Sequence, residues 1–169
     1  MVTEGYRIRR TVASDWRQVR DLRLEMLRDT PIAYGETLQD GLGHPESEWR
    51  MRAARGTAPH GTALVAIDPA GRWVGTVGGY VPDSGAGPLL VGVYVSPDHR
   101  GREAGVFDSL LGALEEWALG EGEVLTLFVH EDNARARAAY LRRGFAETGH
   151  RVRYVLDAAA EEIEMVKRL

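Results

Sequence analysis

Cysteine is absent from the 169 residues, which at once excludes disulfide frameworks, thiolate nucleophiles and cysteine-ligated metal sites. Lysine is nearly absent too: Lys167 is the only one, so almost all of the 21 basic residues are arginine, a bias that carries no functional information. No apolar run approaches the roughly 20 residues of a membrane span. The first residues, Met1-Val2-Thr3-Glu4-Gly5, lack the basic and apolar blocks of a signal peptide. Long runs of like charge are missing as well. The net charge of -4 comes from 21 basic and 25 acidic residues spread along the chain, so nothing provides an electrostatic footprint for nucleic acid. These absences lead us to expect a cytoplasmic protein with no nucleic-acid or membrane partner.

What is present fits one domain over residues 1–169, because a chain of this length that is 44% hydrophobic can fill one core. Tyr6 to Arg10 alternates as a short strand. Asp15 with Gln18 three residues later resembles a capping box opening a helix, with an apolar stripe of Trp16, Val19, Leu22, Met26 and Leu27 that ends before Pro31. From Gly41 to Gly61 the pattern is poor apart from a short helix around Glu46 to Ala54, and a substrate-specific lid could sit here. Thr62–Ile67 and Trp73–Tyr80 read as a hairpin around Asp68-Pro69-Ala70-Gly71, and Leu89–Val95 as a third strand. A helix over Val106–Leu119 and a strand over Val124–Val129 complete a parallel, right-handed crossover. Asn133 then caps a helix through Tyr140, and strands follow at about Gly149–Leu156 and Ile163–Leu169. The order predicts a mixed α/β fold with helices on both faces.

The first chemical signal lies where the Leu89 strand ends, in Pro97-Asp98-His99-Arg100-Gly101-Arg102-Glu103-Ala104-Gly105-Val106-Phe107. A glycine-bearing loop entering a helix offers unpaired N–H groups and the positive end of the helix dipole, which suit phosphate or pyrophosphate. A dinucleotide fold would use the same physics, with His130-Glu131-Asp132 supplying the acidic ribose ligand, but the glycine spacing is wrong and two antiparallel-looking strands precede the loop. The loop resembles the acetyl-CoA-binding segment of the GNAT superfamily. Two registers compete, Arg100-x-x-Glu103-x-Gly105 and Arg102-x-x-Gly105-x-Phe107. The second is preferred because it keeps the glycine and needs only a longer loop. It puts bulky Phe107 where the family usually has a small residue, while the first puts the Glu103 carboxylate beside the pyrophosphate.

The second signal is more specific. Asn133, Ala136, Tyr140, Gly144 and Phe145 match every fixed position of the GNAT pattern Asn-x-x-Ala-x-x-x-Tyr-x-x-x-Gly-Phe. Seven residues are two helical turns, so Asn133 and Tyr140 share a face with Ala136 leaving room between them. Tyr34-Gly35-Glu36-Thr37, Pro45 to Trp49 and Glu164-Met165-Val166 add a likeness to bacterial members.

The resemblance implies the GNAT fold, a mixed and mostly antiparallel sheet with a central parallel strand-helix-strand pair. It implies an N-acetyltransferase that uses acetyl-CoA as co-substrate and passes the acetyl group to a small-molecule or peptide primary amine by direct attack. Expected cofactor-binding residues are Val93, Val95, Arg100, Gly101, Arg102, Glu103, Ala104, Gly105, Val106, Phe107, Asn133, Ala136 and Tyr140, with Tyr140 the general acid and no metal. A backbone N–H of Val93 to Val95 would polarise the carbonyl. Glu36, His130 or water are the candidates for the base. The departures at Glu103 and Phe107 keep open an acyl-CoA-binding domain without turnover, and a homodimer through the late strands is compatible with the family.

Overall fold

The computed structural model describes residues 5–101 and 105–169. In chain order the elements are β1 (Arg7–Arg10), α1 (Trp16–Asp29), α2 (Leu38–Gly43), α3 (Glu46–Ala54), β2 (Gly61–Ile67), β3 (Trp73–Tyr80) and β4 (Leu89–Val95), then α4 (Val106–Leu119), β5 (Val124–His130), α5 (Ala134–Leu141), β6 (Ala146–Tyr154) and β7 (Asp157–Arg168). One seven-stranded sheet runs β1-β2-β3-β4-β5-β7-β6, and all its neighbours are antiparallel except β4 and β5.

Both faces of the central strands are covered, which is why Leu64, Val65 and Ala66 are buried in succession. One face packs on α4 through Val106, Leu110, Leu111 and Leu114, joined by Leu125, Leu127, Ile163 and Met165. On the other, Leu22 and Met26 of α1 meet Tyr94 and Trp73. The glycines of β3 allow α4 to lie this close: a Cβ on Gly79 would come within 2.5 Å of the Trp117 ring. Trp16, Trp49 and Ala53 form a smaller core between α1 and α3.

Three expectations need correction. The two late strands are longer and earlier, forming a single hairpin that turns at Val155-Leu156, because β6 is an exposed edge and its polar residues hide the alternation. Asp15 stands at the start of α1 but does not cap it. Its carboxylate is held by both terminal nitrogens of Arg9, at 2.8 and 3.0 Å, and accepts the Val12 N–H instead. Finally, α2 is an additional helix, capped by the Thr37 hydroxyl accepting the Asp40 N–H.

Candidate active site

The site begins with a defect in the sheet. β4 and β5 register only at Leu89 and Thr126, so beyond that point the strands diverge and the inner backbone edge of β4 faces a wedge. In β4 an extra residue opposite Thr76–Gly78, with Gly92 at φ 59°, forms a bulge in the same place. The Tyr34 hydroxyl reaches across and donates to the Val93 carbonyl at 2.8 Å, satisfying one of the groups the splay leaves open. Burial raises the Tyr34 pKa, and the nearby Tyr140 phenol raises it further.

Two cavities open from this wedge. The first, of about 640 Å³, is lined by the β4 bulge, by Gly101, Phe107 and Asp108, and by Asn133, Ala136 and Tyr140 of the α5 region. Of the residues expected at the cofactor site, Val93, Val95, Arg100, Gly101, Phe107, Asn133, Ala136 and Tyr140 line this one cavity, whereas Gly105 and Val106 are not among its lining residues. Gly105 starts α4 at φ 65°, and Val106 is buried in the core. Arg102, Glu103 and Ala104 lie outside the described residues, and with them the choice between the two loop registers.

Within this groove Phe107 does not stand in the way of its neighbours. Its ring meets Tyr140 edge to face at 6.0 Å, and the Arg143 guanidinium lies 4.6 Å above it. Tyr140 is also braced by Phe145, at 5.6 Å. Burial raises the Tyr140 pKa above the usual tyrosine range and Arg143 offsets this only in part, so the phenol stays protonated. Its hydroxyl has no partner among the described residues. Asn133 accepts the Ala136 N–H and so caps α5 while facing the groove. Arg100 lines the groove but is otherwise engaged: its Nε donates to the Val95 carbonyl at 2.7 Å and its terminal nitrogen pairs with Asp29. Arg135 and Arg142 also line it and make no side-chain pair among the described residues, which makes them the more available cations.

The second cavity, of about 910 Å³, shares Ala33, Tyr34, Leu90, Val91, Gly92 and Phe128 with the first. The two are halves of one cleft crossing the sheet at the bulge. Its outer wall comes from the 33–36 loop, α3 and the segment through Gly61, which is the region expected to carry the lid. The Pro82–Pro88 loop reaches it only through its neighbours Val81 and Leu89.

Neither base candidate keeps the chemistry a base requires. Burial by itself would raise the Glu36 pKa, but Arg52, His44 and Arg23 all hydrogen-bond its carboxylate and hold it far below the usual carboxylate range. A group so stabilised as an anion does not take a proton from an ammonium. His130 is buried, and its Nδ1 accepts the Asp132 N–H at 3.0 Å, so the neutral ring carries its proton on Nε2 and has no free lone pair. Glu162 differs from both. It lies opposite His130 in the β5–β7 pairing and lines the second cavity, and its carboxylate makes no ion pair or hydrogen bond among the described residues. Burial raises its pKa and His130 lowers it less. The other groups on its side of the hairpin are Val152, Tyr154, which packs on His130, and Glu164, which accepts from Thr148.

Residues 16–145 match the family model described as the acetyltransferase (GNAT) family. The chain belongs to the GNAT family. No curated protein sequence matches this acetyltransferase. Among solved structures, a GCN5-related N-acetyltransferase from Kribbella flavida is 20% identical, covering 99% of this chain and 100% of its own, at a TM-score of 0.76. PaiA N-acetyltransferase from Thermoplasma acidophilum, in complex with coenzyme A, is 16% identical over 97% of this chain and 99% of its own, at 0.75. A phosphinothricin acetyltransferase from Sinorhizobium meliloti, in complex with AcCoA, is 20% identical over 98% and 89%, also at 0.75. At these identities the likeness is one of fold.

Three residues of this GNAT chain escaped sequence reasoning as site members: Tyr34 in its contact with the bulge, Arg55 and Glu162. Tyr34 stood in a recognised loop without a role. Arg55 and Glu162 sit among so many Arg and Glu residues that only their failure to pair distinguishes them, and pairing is a tertiary fact.

Proposed function

We propose that this acetyltransferase binds acetyl-CoA in the first cavity and a primary amine in the second, and joins them directly at the β4 bulge. One observation carries the reading: two cavities share Tyr34, Gly92 and Phe128, one lined by an unpaired phenol, Tyr140, and the other by an unpaired carboxylate, Glu162. Such a pair is what direct aminolysis of a thioester requires, a donor for the departing sulfur and an acceptor for the amine's proton.

In this reading the inner edge of β4 near Val93 supplies a backbone N–H to the thioester oxygen, since the splay leaves that edge unpaired with β5. Glu162 draws the proton from the incoming ammonium. The nitrogen then forms a bond to the acetyl carbon, the carbon–sulfur bond breaks with its electron pair left on sulfur, and the second proton that the nitrogen sheds in becoming an amide passes to the departing thiolate, directly or through water. The Tyr140 hydroxyl donates to the sulfur as it leaves. A phenol whose pKa is raised gives up its proton less readily, so its contribution is a hydrogen bond to the developing thiolate, with full transfer favoured only as the filled groove desolvates the sulfur too. Arg135, Arg142 and the backbone of Gly101 provide the polar rim for the phosphates.

Heat-stability scans with coenzyme A and acetyl-CoA, followed by thiol release across an amine panel, test this. Stabilisation together with acceptor-dependent thiol release is expected. Stabilisation with no thiol released by any amine would replace the transferase with an acyl-CoA-binding domain.

A further inference from the structure

The wall of the second cavity nearest α3 holds more positive charge than its carboxylates balance. Arg23 and Arg52 are both bound to Glu36, and Arg52 also donates to Glu48 at 2.9 Å. Arg55 follows directly after α3 and lines the same cavity; its backbone is tied into the turn, the N–H donating to the Arg52 carbonyl and the carbonyl accepting from the Ala58 N–H, but its guanidinium makes no hydrogen bond, ion pair or ring contact among the described residues. Desolvation lowers its pKa and the neighbouring Arg52 and Arg23 lower it further, against an opposing pull from Glu48 and Glu36, whose carboxylates are already hydrogen-bonded to Arg52 and Arg23. Its backbone is not free to swing away. Gly56 is buried against Thr11 so tightly that a Cβ there would come within 2.0 Å of the Thr11 carbonyl oxygen. The same wall carries Thr62, the one buried side-chain hydroxyl without a partner among the described residues.

Resting on the transferase reading above, we infer that the acceptor is an amine that also bears an anionic group: Arg55 receives the anion, while Glu162 on the opposite strand hairpin receives the amine. The second cavity then offers one unpaired side-chain charge of each sign to a ligand carrying the complementary two. A guanidinium fork suits a carboxylate or a phosphonate equally well, through two parallel N–H···O bonds. An amine without that group leaves Arg55 unpaired and loses the corresponding binding. A polycationic amine meets repulsion from the Arg55 guanidinium, which no carboxylate pairs, whereas Arg23 and Arg52 are already neutralised.

The test uses paired acceptors that differ only in the anion: amino acids of increasing chain length, their carboxamides, and the matching aminoalkylphosphonates, with thiol release followed at saturating acetyl-CoA. The expected result is a kcat/KM about tenfold or more higher for an acid than for its carboxamide, expressed in KM. Arg55→Gln should bring that ratio to within about twofold, and Arg55→Lys should leave an intermediate ratio, because it keeps the charge and loses the fork. The carboxylate and phosphonate arms identify which anion is read. Thermal melts of both variants, with and without coenzyme A, establish that the fold and the first cavity are intact. Equal kcat/KM for acids and carboxamides, or an acid preference that survives in Arg55→Gln, overturns the inference and leaves the transferase standing. A wild-type chain that releases no thiol with any member overturns both.

Discussion

Replacing Tyr140 by Phe removes one oxygen from the centre of the proposed reaction and little else. The ring is held edge to face by Phe107 at 6.0 Å and by Phe145 at 5.6 Å, contacts a phenylalanine reproduces. The lost hydroxyl has no partner among the described residues, so no buried group is orphaned, and stability should change by less than about 1 kcal/mol. Catalysis should respond differently. A hydrogen bond to a charged group contributes about 1.5–3 kcal/mol, and here the charge appears on sulfur only as the bond breaks, which translates to a loss of about 10- to 150-fold. The loss should fall on kcat and kcat/KM alike, with KM for acetyl-CoA unchanged, because the interaction is absent from the ground state. Burial keeps the phenol protonated beyond the ordinary tyrosine range, so the ratio of wild-type to variant rates should stay constant between about pH 6 and 9. Steady-state thiol release across that range measures it. Turnover that survives unchanged at every pH would show that Tyr140 does not assist the leaving sulfur.

Further outcomes follow from other contacts. Glu162→Gln should lower kcat/KM by about 10²- to 10⁴-fold with a strongly basic amine and by less with a weakly basic one that arrives neutral. The wild-type rate should fall as pH drops through the raised Glu162 pKa, and the variant's profile should lack that limb. Glu36→Gln should leave Arg23 without its anion and Arg52 with Glu48 alone, costing about 3 kcal/mol, or roughly 6–12 °C in Tm. Because the folded Glu36 pKa is depressed, its stabilisation is complete above the unfolded value of about 4.3 and is lost as pH falls below it. Acid melts of the wild type should steepen there relative to the variant. Gly79→Ala should drive a Cβ against Trp117 at 2.5 Å and lower stability by about 1–3 kcal/mol, visible in denaturant melts. Arg135→Ala and Arg142→Ala should each weaken coenzyme A binding several-fold in a salt-sensitive manner, and more than Arg100→Ala, because Arg100 is already engaged by Asp29 and Val95.

The sequence alone determined the elements whose signals are local. β3, β4 and α4 begin and end where their apolar periods and flanking glycines place them, and the Asn133-to-Tyr140 spacing puts three groove-lining residues on one helix face, because helix geometry is a property of the segment itself. It could not determine which charges remain free. Glu36 and His130 stand in the sequence as candidate bases, but the first is clasped by two arginines and the second has a lone pair engaged by a backbone N–H, while Glu162, just ahead of the strand expected from Ile163, stands with its carboxylate unpaired in the cleft. Electrostatic pairing depends on distances between residues far apart in the chain, and the divergence of β4 from β5 depends on how whole strands twist and pack. Only the tertiary structure decides these, and with them which groups in the cleft remain able to exchange a proton.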